Sequence, residues 1–213
     1  MTKKIIYLIR HGETAFNRKG AVQGRGIDAG LNETGRMQAR AFYEKYKDIP
    51  FQKVYVSTLR RTFETAQEFI AAGIPYERLE GLDEISWGKA EGLTMEETGY
   101  EVFTTLLERW RQGDTHAALE AGESPEQVAT RQAEALRVIL SRKEEDLVLV
   151  TMHGRAMRIL LSRILGFPLH EMDRFEHSNT CLYVLEYDYA REKFEVTLSN
   201  DNSHITEYLE QEA

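Results

Sequence analysis

The sequence predicts an α/β fold: a three-layer α/β/α sandwich with a mostly parallel sheet and a partly helical insertion laid over the core. Two observations carry this expectation. Short apolar runs of strand length alternate along the chain with apolar stripes at helical spacing, the order that βα units produce. One stretch, residues 80–123, breaks the alternation with glycines, mixed charge and a helix-like piece near Val102 to Arg111, and it holds no clear strand.

Taken in order, Ile5 to Ile9 is a continuous apolar run and reads as a buried strand. A loop of glycine and polar residues is expected from Gly12 to Asn32. Ala39, Phe42, Tyr43 and Tyr46 then recur at i, i+3, i+4 and i+7, the stripe of an amphipathic helix. Val54 to Ser57 reads as a second short strand, and Phe63, Ala66 and Ile70 mark the helix after it. Ser124-Pro125-Glu126-Gln127 is a helix start: Ser as N-cap, Pro at the first position, Gln closing a capping box. That helix should run to about Arg142. Leu-Val-Leu-Val within Asp146 to Thr151 is a third strand, and Met157, Leu160, Leu161 and Ile164 form the next helical stripe. Residues 181–187 and 193–198 read as later strands. In the second of these, Phe194, Val196 and Leu198 alternate with polar residues, as on a one-sided or edge strand.

The 213 residues suit one domain with a sizeable core, residues 1–213, in which 80–123 is an insertion or lid. The formal net charge of −8 argues against nucleic acid or an acidic membrane surface as partner, so any basic site must be local. Cys181 is the only cysteine, which excludes an internal disulfide and fits a reducing compartment. The N-terminal apolar run is too short for a signal-peptide core or a membrane span. A soluble cytoplasmic protein is expected. Oligomeric state is not legible in the sequence.

Ligands of such folds bind outside the carboxyl ends of the strands. Three strand ends here are basic: Arg10-His11-Gly12, then Ser57-Thr58-Leu59-Arg60-Arg61, then Met152-His153-Gly154-Arg155. If the three strands are neighbours, these ends meet in one cavity. An acidic chain that gathers cations in one pocket points to a small anion, and phosphate matches the planar fork of arginine. The glycines let backbone N–H groups come close. An imidazole with one bare nitrogen can also attack phosphorus, cations can stabilise the transferring phosphoryl group, and a carboxyl such as Glu84 in "GLDEISWGKAEG" can protonate the leaving alkoxide. Each residue also has a plainer reading. A lone His at a strand end is most often structural or solvated, and Arg60, Arg61 or Glu84 alone would be unremarkable. Residue chemistry by itself leaves phosphate binding and phosphoryl transfer both open.

"LIRHGET" resembles the signature of the histidine phosphatase superfamily, in its phosphoglycerate mutase-like branch. The likeness extends over nearly the whole chain. "QGRGIDAGLNETGRMQA", "VSTLRRTFETA", "LDEISWGKAEG", "VTMHGRAMRIL" and "SNDNSHI" are each similar to a segment of that family, in the same order. The resemblance implies that His11 is the nucleophile that becomes phosphorylated, and that Arg10, Arg61 and His153 bind the phosphoryl group. It implies that Glu84 is the general acid and then the base, with Arg60 at a variable position. Asn17, Gln23 and the backbone of Gly154 are implied as substrate-binding groups. No cofactor is implied and no metal, since cationic side chains take the place of Mg²⁺. The histidines and Cys181 also lack metal-ligand spacing. The expected partner is a small phosphorylated substrate.

Two departures stand out. Met152 occupies a place where a small Ser or Thr commonly precedes the second histidine. Arg155 either reads a second anionic group or sits on the surface, where arginine is mostly found, and the surface is the expectation. Trp87 either lines the pocket mouth or is a buried structural residue. His170, His177 and His204 are expected to be structural and His116 solvated. The implied activity is phosphate monoester hydrolysis through a phosphohistidine, of the histidine acid phosphatase type. The alternatives are a cofactor-dependent phosphoglycerate mutase and a non-catalytic phosphate-binding protein of the same fold. The mutases of this family carry an "ERHYG"-like segment after the acid. Here Ile85-Ser86-Trp87-Gly88 follows Glu84, with no basic residue before Lys89.

Overall fold

Side chains on a strand point alternately to opposite faces, and here that alternation divides the core in two. In a computed structural model, which describes residues 2–98 and 100–211, six strands form one sheet in the order β3-β2-β4-β1-β5-β6. They are β1 (Lys3–Arg10), β2 (Lys53–Val56), β3 (Tyr76–Arg78), β4 (Leu147–Met152), β5 (Leu182–Asp188) and β6 (Lys193–Asp201). Ile6, Leu8, Val148, Val150 and Met152 face one way and pack with Ile139, Ala156, Met157 and Leu160. Those partners come from α6 (Pro125–Ser141) and α7 (Gly154–Ile164). Ile9, Val54, Val56 and Leu149 face the other way, against Phe42, Ala66 and Phe69. These lie on α2 (Glu33–Tyr46) and α3 (Arg60–Ala71). The layers are therefore helix, sheet, helix, as expected. The β1–β4, β2–β4 and β2–β3 pairings are parallel, and β1–β5 and β5–β6 are antiparallel.

The register sets the site. Arg10 lies opposite Met152 and Val56 opposite Thr151, so three strands end at one level. His11 N donates to Met152 O at 3.0 Å, which ties the first basic end to the third. The order β2-β4-β1 is the adjacency on which the shared cavity depended.

The helix start at Ser124 is as read: Ser124 Oγ accepts from Gln127 N, and the Gln127 side chain accepts from Ser124 N at 2.8 Å. Helix α6 ends at Ser141. The segment from 80 to 123 holds single 3₁₀ turns at Glu80–Leu82 and Gly88–Ala90, then α4 (Met95–Thr98) and α5 (Tyr100–Arg111). Ile85, Leu106 and Trp110 anchor it against Val128, Ile159, Leu169 and Met172.

Three elements differ from the expectation. The presumed loop after Gly12 contains α1 (Ala15–Lys19), held by a capping box between Thr14 and Asn17 and closed by Gly20 at φ 64°. The short β3 carries no apolar alternation, and helix α8 (Ser203–Gln211) follows β6. No helix among the described residues is long and apolar enough to cross a membrane.

Candidate active site

His11 follows directly on β1 and is 3 % exposed. Its Nδ1 lies 2.7 Å from Gly12 O, an acceptor, so Nδ1 carries the proton and donates it. Nε2 is then the bare nitrogen, and among the described residues it has no hydrogen-bond partner. Burial, then the charges of Arg61 and Arg10, hold the imidazole well below its ordinary value. It is neutral at neutral pH and has a lone pair to offer. The turn that aims it needs glycine: a Cβ on Gly12 would come within 2.6 Å of Gly35 O.

His153 caps α7 from the end of β4 and is fully buried. Its Nδ1 accepts from Arg61 Nε at 3.1 Å, and its Nε2 donates to Ser57 Oγ at 2.8 Å. Burial first, then Arg61, keeps it neutral. Its ring lies 5.1 Å from that of His11, centroid to centroid. Arg61, on the first turn of α3, also donates to Ile27 O at 2.7 Å and Gly24 O at 3.2 Å. Burial pushes its guanidinium down to about 10, with Glu84 the largest opposing influence, so it stays charged at neutral pH. Arg60 points away and pairs with Glu64 at 2.5 Å on the surface.

Arg10 makes no ion pair among the described residues. Its Nη1 is 3.2 Å from His177 Nδ1, and its buried Nε has no partner. His177 is therefore part of the site and not merely structural elsewhere: it steers Arg10. Burial and then Arg10 push His177 down to about 3, so Nδ1 accepts. A Cβ on Gly154 would meet His177 Cε1 at 2.7 Å and Arg10 Nε at 3.2 Å, so glycine at the start of α7 makes room for both. The Gly154 N–H, in the first helical turn, has no acceptor within the helix.

Glu84 is 6 % exposed and lies at this same helix start. Its Oε1 accepts from Ala156 N at 2.8 Å and Ile85 N at 2.9 Å, and its Oε2 from Arg155 N at 3.1 Å. The backbone that carries it is clamped by Arg131, which donates to Asp83 O at 2.9 Å and Glu84 O at 2.8 Å.

A cleft of about 450 Å³ opens beside these groups, with Arg10, Asn17, Gln23, Asn179 and Arg155 among its polar lining and Trp87 on its apolar side. Asn17 Oδ1 accepts from Thr14 N at 3.1 Å. Gln23 Oε1 accepts from Thr14 Oγ1 at 2.7 Å, which leaves the buried Gln23 Nε2 without a partner. The structure thus gathers His11, His153, Arg10, Arg61, Glu84 and Gly154 at three adjoining strand ends and puts Asn17 and Gln23 on the cleft beside them. It corrects the expectation for Arg155. That side chain is 13 % exposed, lines the cleft, and donates to Asp173 Oδ1 at 2.6 Å. Trp87 is at once cleft wall and packing partner of Phe103, with ring centroids 5.3 Å apart and planes tilted by 56°. His170 and His116 are exposed, and buried His204 contacts Thr180 Oγ1 at 3.1 Å.

Residues missed in the sequence come from the segment before β5. Asn179 Nδ2 donates to His11 O at 3.1 Å and approaches Asn17 Oδ1 at 3.4 Å. Among the described residues, no group of three or more His, Cys, Asp or Glu is placed to hold a metal ion.

The neutral histidines carry a stability consequence. The unfolded chain binds protons on histidine near pH 6.5, whereas folded His11 and His153 titrate well below that, His204 at about 4 and His177 at about 3. Below 6.5 the unfolded state holds more protons, so stability falls as pH falls, by on the order of 1 kcal/mol per pH unit for each histidine. The urea midpoint should drop steadily from pH 6.5 to 5. A flat midpoint over that interval would mean that these imidazoles charge in the folded state.

Residues 6–202 match the family model of the histidine phosphatase superfamily (branch 1). The chain is 29% identical over 208 residues to a probable phosphoglycerate mutase GpmB of Erwinia tasmaniensis, covering 94% of each. It is 36% identical over 174 residues to the 6-phosphofructo-2-kinase/fructose-2,6-bisphosphatase of Gallus gallus, covering 81% of this chain but 35% of that protein. Among solved structures it is similar to Bacillus stearothermophilus YhfR, with a TM-score of 0.83 and 30% identity over 95% of this chain and 99% of the other.

Proposed function

The chain belongs to the histidine phosphatase superfamily, branch 1, and from that premise we propose that it hydrolyses the phosphate monoester of a small metabolite through a phosphohistidine on His11. The observation that carries the reading is the neutral His11 ring with Nε2 bare, its proton given to Gly12 O, beside two arginines. A non-catalytic phosphate binder has no need of a bare, uncharged imidazole among cations, nor of a carboxyl at their edge.

The first step joins His11 Nε2 to phosphorus and breaks the bond to the ester oxygen. Arg10 and Arg61 stabilise the equatorial oxygens, and the Gly154 N–H, which has no acceptor within its helix, adds a backbone donor. Glu84 gives its proton to the departing alkoxide. In the second step Glu84 takes a proton from water, the water oxygen attacks phosphorus, and the P–N bond breaks to free phosphate and neutral His11. Residues 80–123 serve as the cover of the site, bringing Glu84 and Trp87 to it. His153 supports the phosphoryl group chiefly by orienting Arg61, since both its ring nitrogens are engaged.

A mutase is the second reading, favoured by the likeness to a probable phosphoglycerate mutase. Mutase and phosphatase share the phosphohistidine and differ in the acceptor. A mutase must retain and reorient a phosphoglycerate while excluding water. Here the first basic residue after the acid is Lys89, which is spent on a surface ion pair with Glu120 at 2.5 Å. That absence of an uncommitted basic residue beside the acid supports water as the acceptor. Supplied with 3-phosphoglycerate and catalytic 2,3-bisphosphoglycerate, with EDTA present because no metal takes part, the protein should release phosphate and form little 2-phosphoglycerate. Efficient isomerisation with little phosphate released would overturn the reading in favour of the mutase, and activity only after a divalent metal is restored would sink the mechanism.

A further inference from the structure

Resting on the phosphatase reading, we infer that the leaving-group subsite takes an apolar alcohol of aryl or branched-alkyl size, in preference to a polyhydroxylated or carboxylated one. The cleft is two-sided. Arg10, Asn17, Gln23 and Asn179 form its polar side, where Thr14 Oγ1 holds both Asn17 and Gln23 and the Gln23 Nε2 is left to a phosphoryl oxygen, and Ala21, Val22, Trp87, Phe103 and Leu107 form its apolar side. The backbone of Val22 and Trp87 is engaged by the segment behind them: Val22 N donates to Leu93 O at 2.8 Å, Gly92 N donates to Val22 O at 2.9 Å, and Trp87 N donates to Glu91 Oε1 at 2.9 Å. The side chains of this wall are chiefly methyl groups and rings. Sugar hydroxyls pressed there would lose water without matching partners, whereas an apolar group gains by leaving water.

Among the described residues lining the cleft, Arg155 is the one cation besides Arg10, and it could have argued for a second anion. Its charge is already engaged. Nη1 is 2.6 Å from Asp173 Oδ1, and the guanidinium lies 5.5 Å from the centre of the Trp110 ring. Asp173 also holds Arg158 at 2.6 Å, so a substrate carboxylate would have to compete with a formed cluster. Arg155 thereby closes the wall by packing its stem and fork, and the selectivity it helps to set is for shape and apolarity.

The test compares esters with similar alkoxide leaving groups, so that leaving-group basicity does not decide: ethyl phosphate, 2-phenylethyl phosphate, glycerol 1-phosphate and 3-phosphoglycerate. The expected kcat/KM for 2-phenylethyl phosphate is at least about tenfold above each of the others, the scale at which apolar pockets discriminate. In Leu107→Ala the ratio of 2-phenylethyl to ethyl phosphate should fall by roughly three- to tenfold. A ratio is unaffected by the fraction of protein that folds. An unchanged ratio, or glycerol phosphate or phosphoglycerate matching the phenylethyl ester in the wild type, overturns the inference while leaving hydrolysis intact. If no ester releases phosphate, the phosphatase reading fails, and calorimetric binding of the same esters judges the subsite separately. Tighter binding of the phenylethyl ester than of the ethyl ester then supports it, and equal binding overturns it.

Discussion

Replacing His11 with alanine should lower kcat/KM for every phosphate monoester by roughly 10⁴–10⁶-fold, the loss typical of a deleted nucleophile. That corresponds to roughly 5–8 kcal/mol of transition-state stabilisation. The size follows from geometry. His11 Nε2 is the bare imidazole nitrogen at the site, because both nitrogens of His153 are held by Arg61 and Ser57, and His177 Nδ1 faces Arg10. Water entering the space left by the ring would meet the same cations but not a base poised for it, since Glu84 must carry a proton in the first step. Phosphate binding should survive in the variant, as Arg10 and Arg61 remain. The wild type quenched into base during turnover should carry phosphohistidine at residue 11. Label found on His153, or an alanine variant within about a hundredfold of wild type, would refute the assignment.

The parts of the fold written in local pattern were legible in the sequence. Strands β1 and β4 are continuous apolar runs because both faces are covered, and α6 announces itself through Ser124, Pro125 and Gln127. Helix α1 was hidden because its five residues bury no side chain, so no apolar stripe marks it. Strand β3 lies at the sheet edge and buries none of its three residues. The site divides in the same way. His11, His153, Arg10 and Arg61 could be read because each sits at or just past a strand end. Asn179 and His177 could not, because they reach His11 and Arg10 from a segment more than a hundred and sixty residues downstream, as the 168- and 167-residue separations of those contacts record. The burial of Arg155 is not legible in the sequence for a related reason. Its burial depends on Asp173 and Trp110, which only folding brings beside it.

Glu84→Gln should separate the two proton transfers assigned to the carboxyl. For an alkyl phosphate, kcat/KM should fall by about 10²–10⁴-fold, the usual worth of general acid catalysis, because an alkoxide cannot leave without a proton. For p-nitrophenyl phosphate the same variant should lose little in kcat/KM, since that ratio reports only steps through P–O cleavage and nitrophenolate needs no proton. Its kcat should nevertheless drop, because dephosphorylation still lacks the base. Phosphohistidine should then accumulate, with a burst of nitrophenolate approaching one equivalent of enzyme. The substitution is nearly isosteric, but the carboxylate accepts from Ile85, Arg155 and Ala156 N–H groups, and an amide can keep only one oxygen toward them. A general loosening of the α7 start would depress both substrates alike, by displacing Gly154 and the residues around it. The leaving-group dependence therefore distinguishes chemistry from disturbed structure. Equal losses in kcat/KM on the alkyl and nitrophenyl esters, with no burst, would remove Glu84 from the proton transfers. Glu91 would then be tested next, since its Oε1 already accepts from Ser86 Oγ at 3.2 Å and Trp87 N at 2.9 Å close behind the cleft wall.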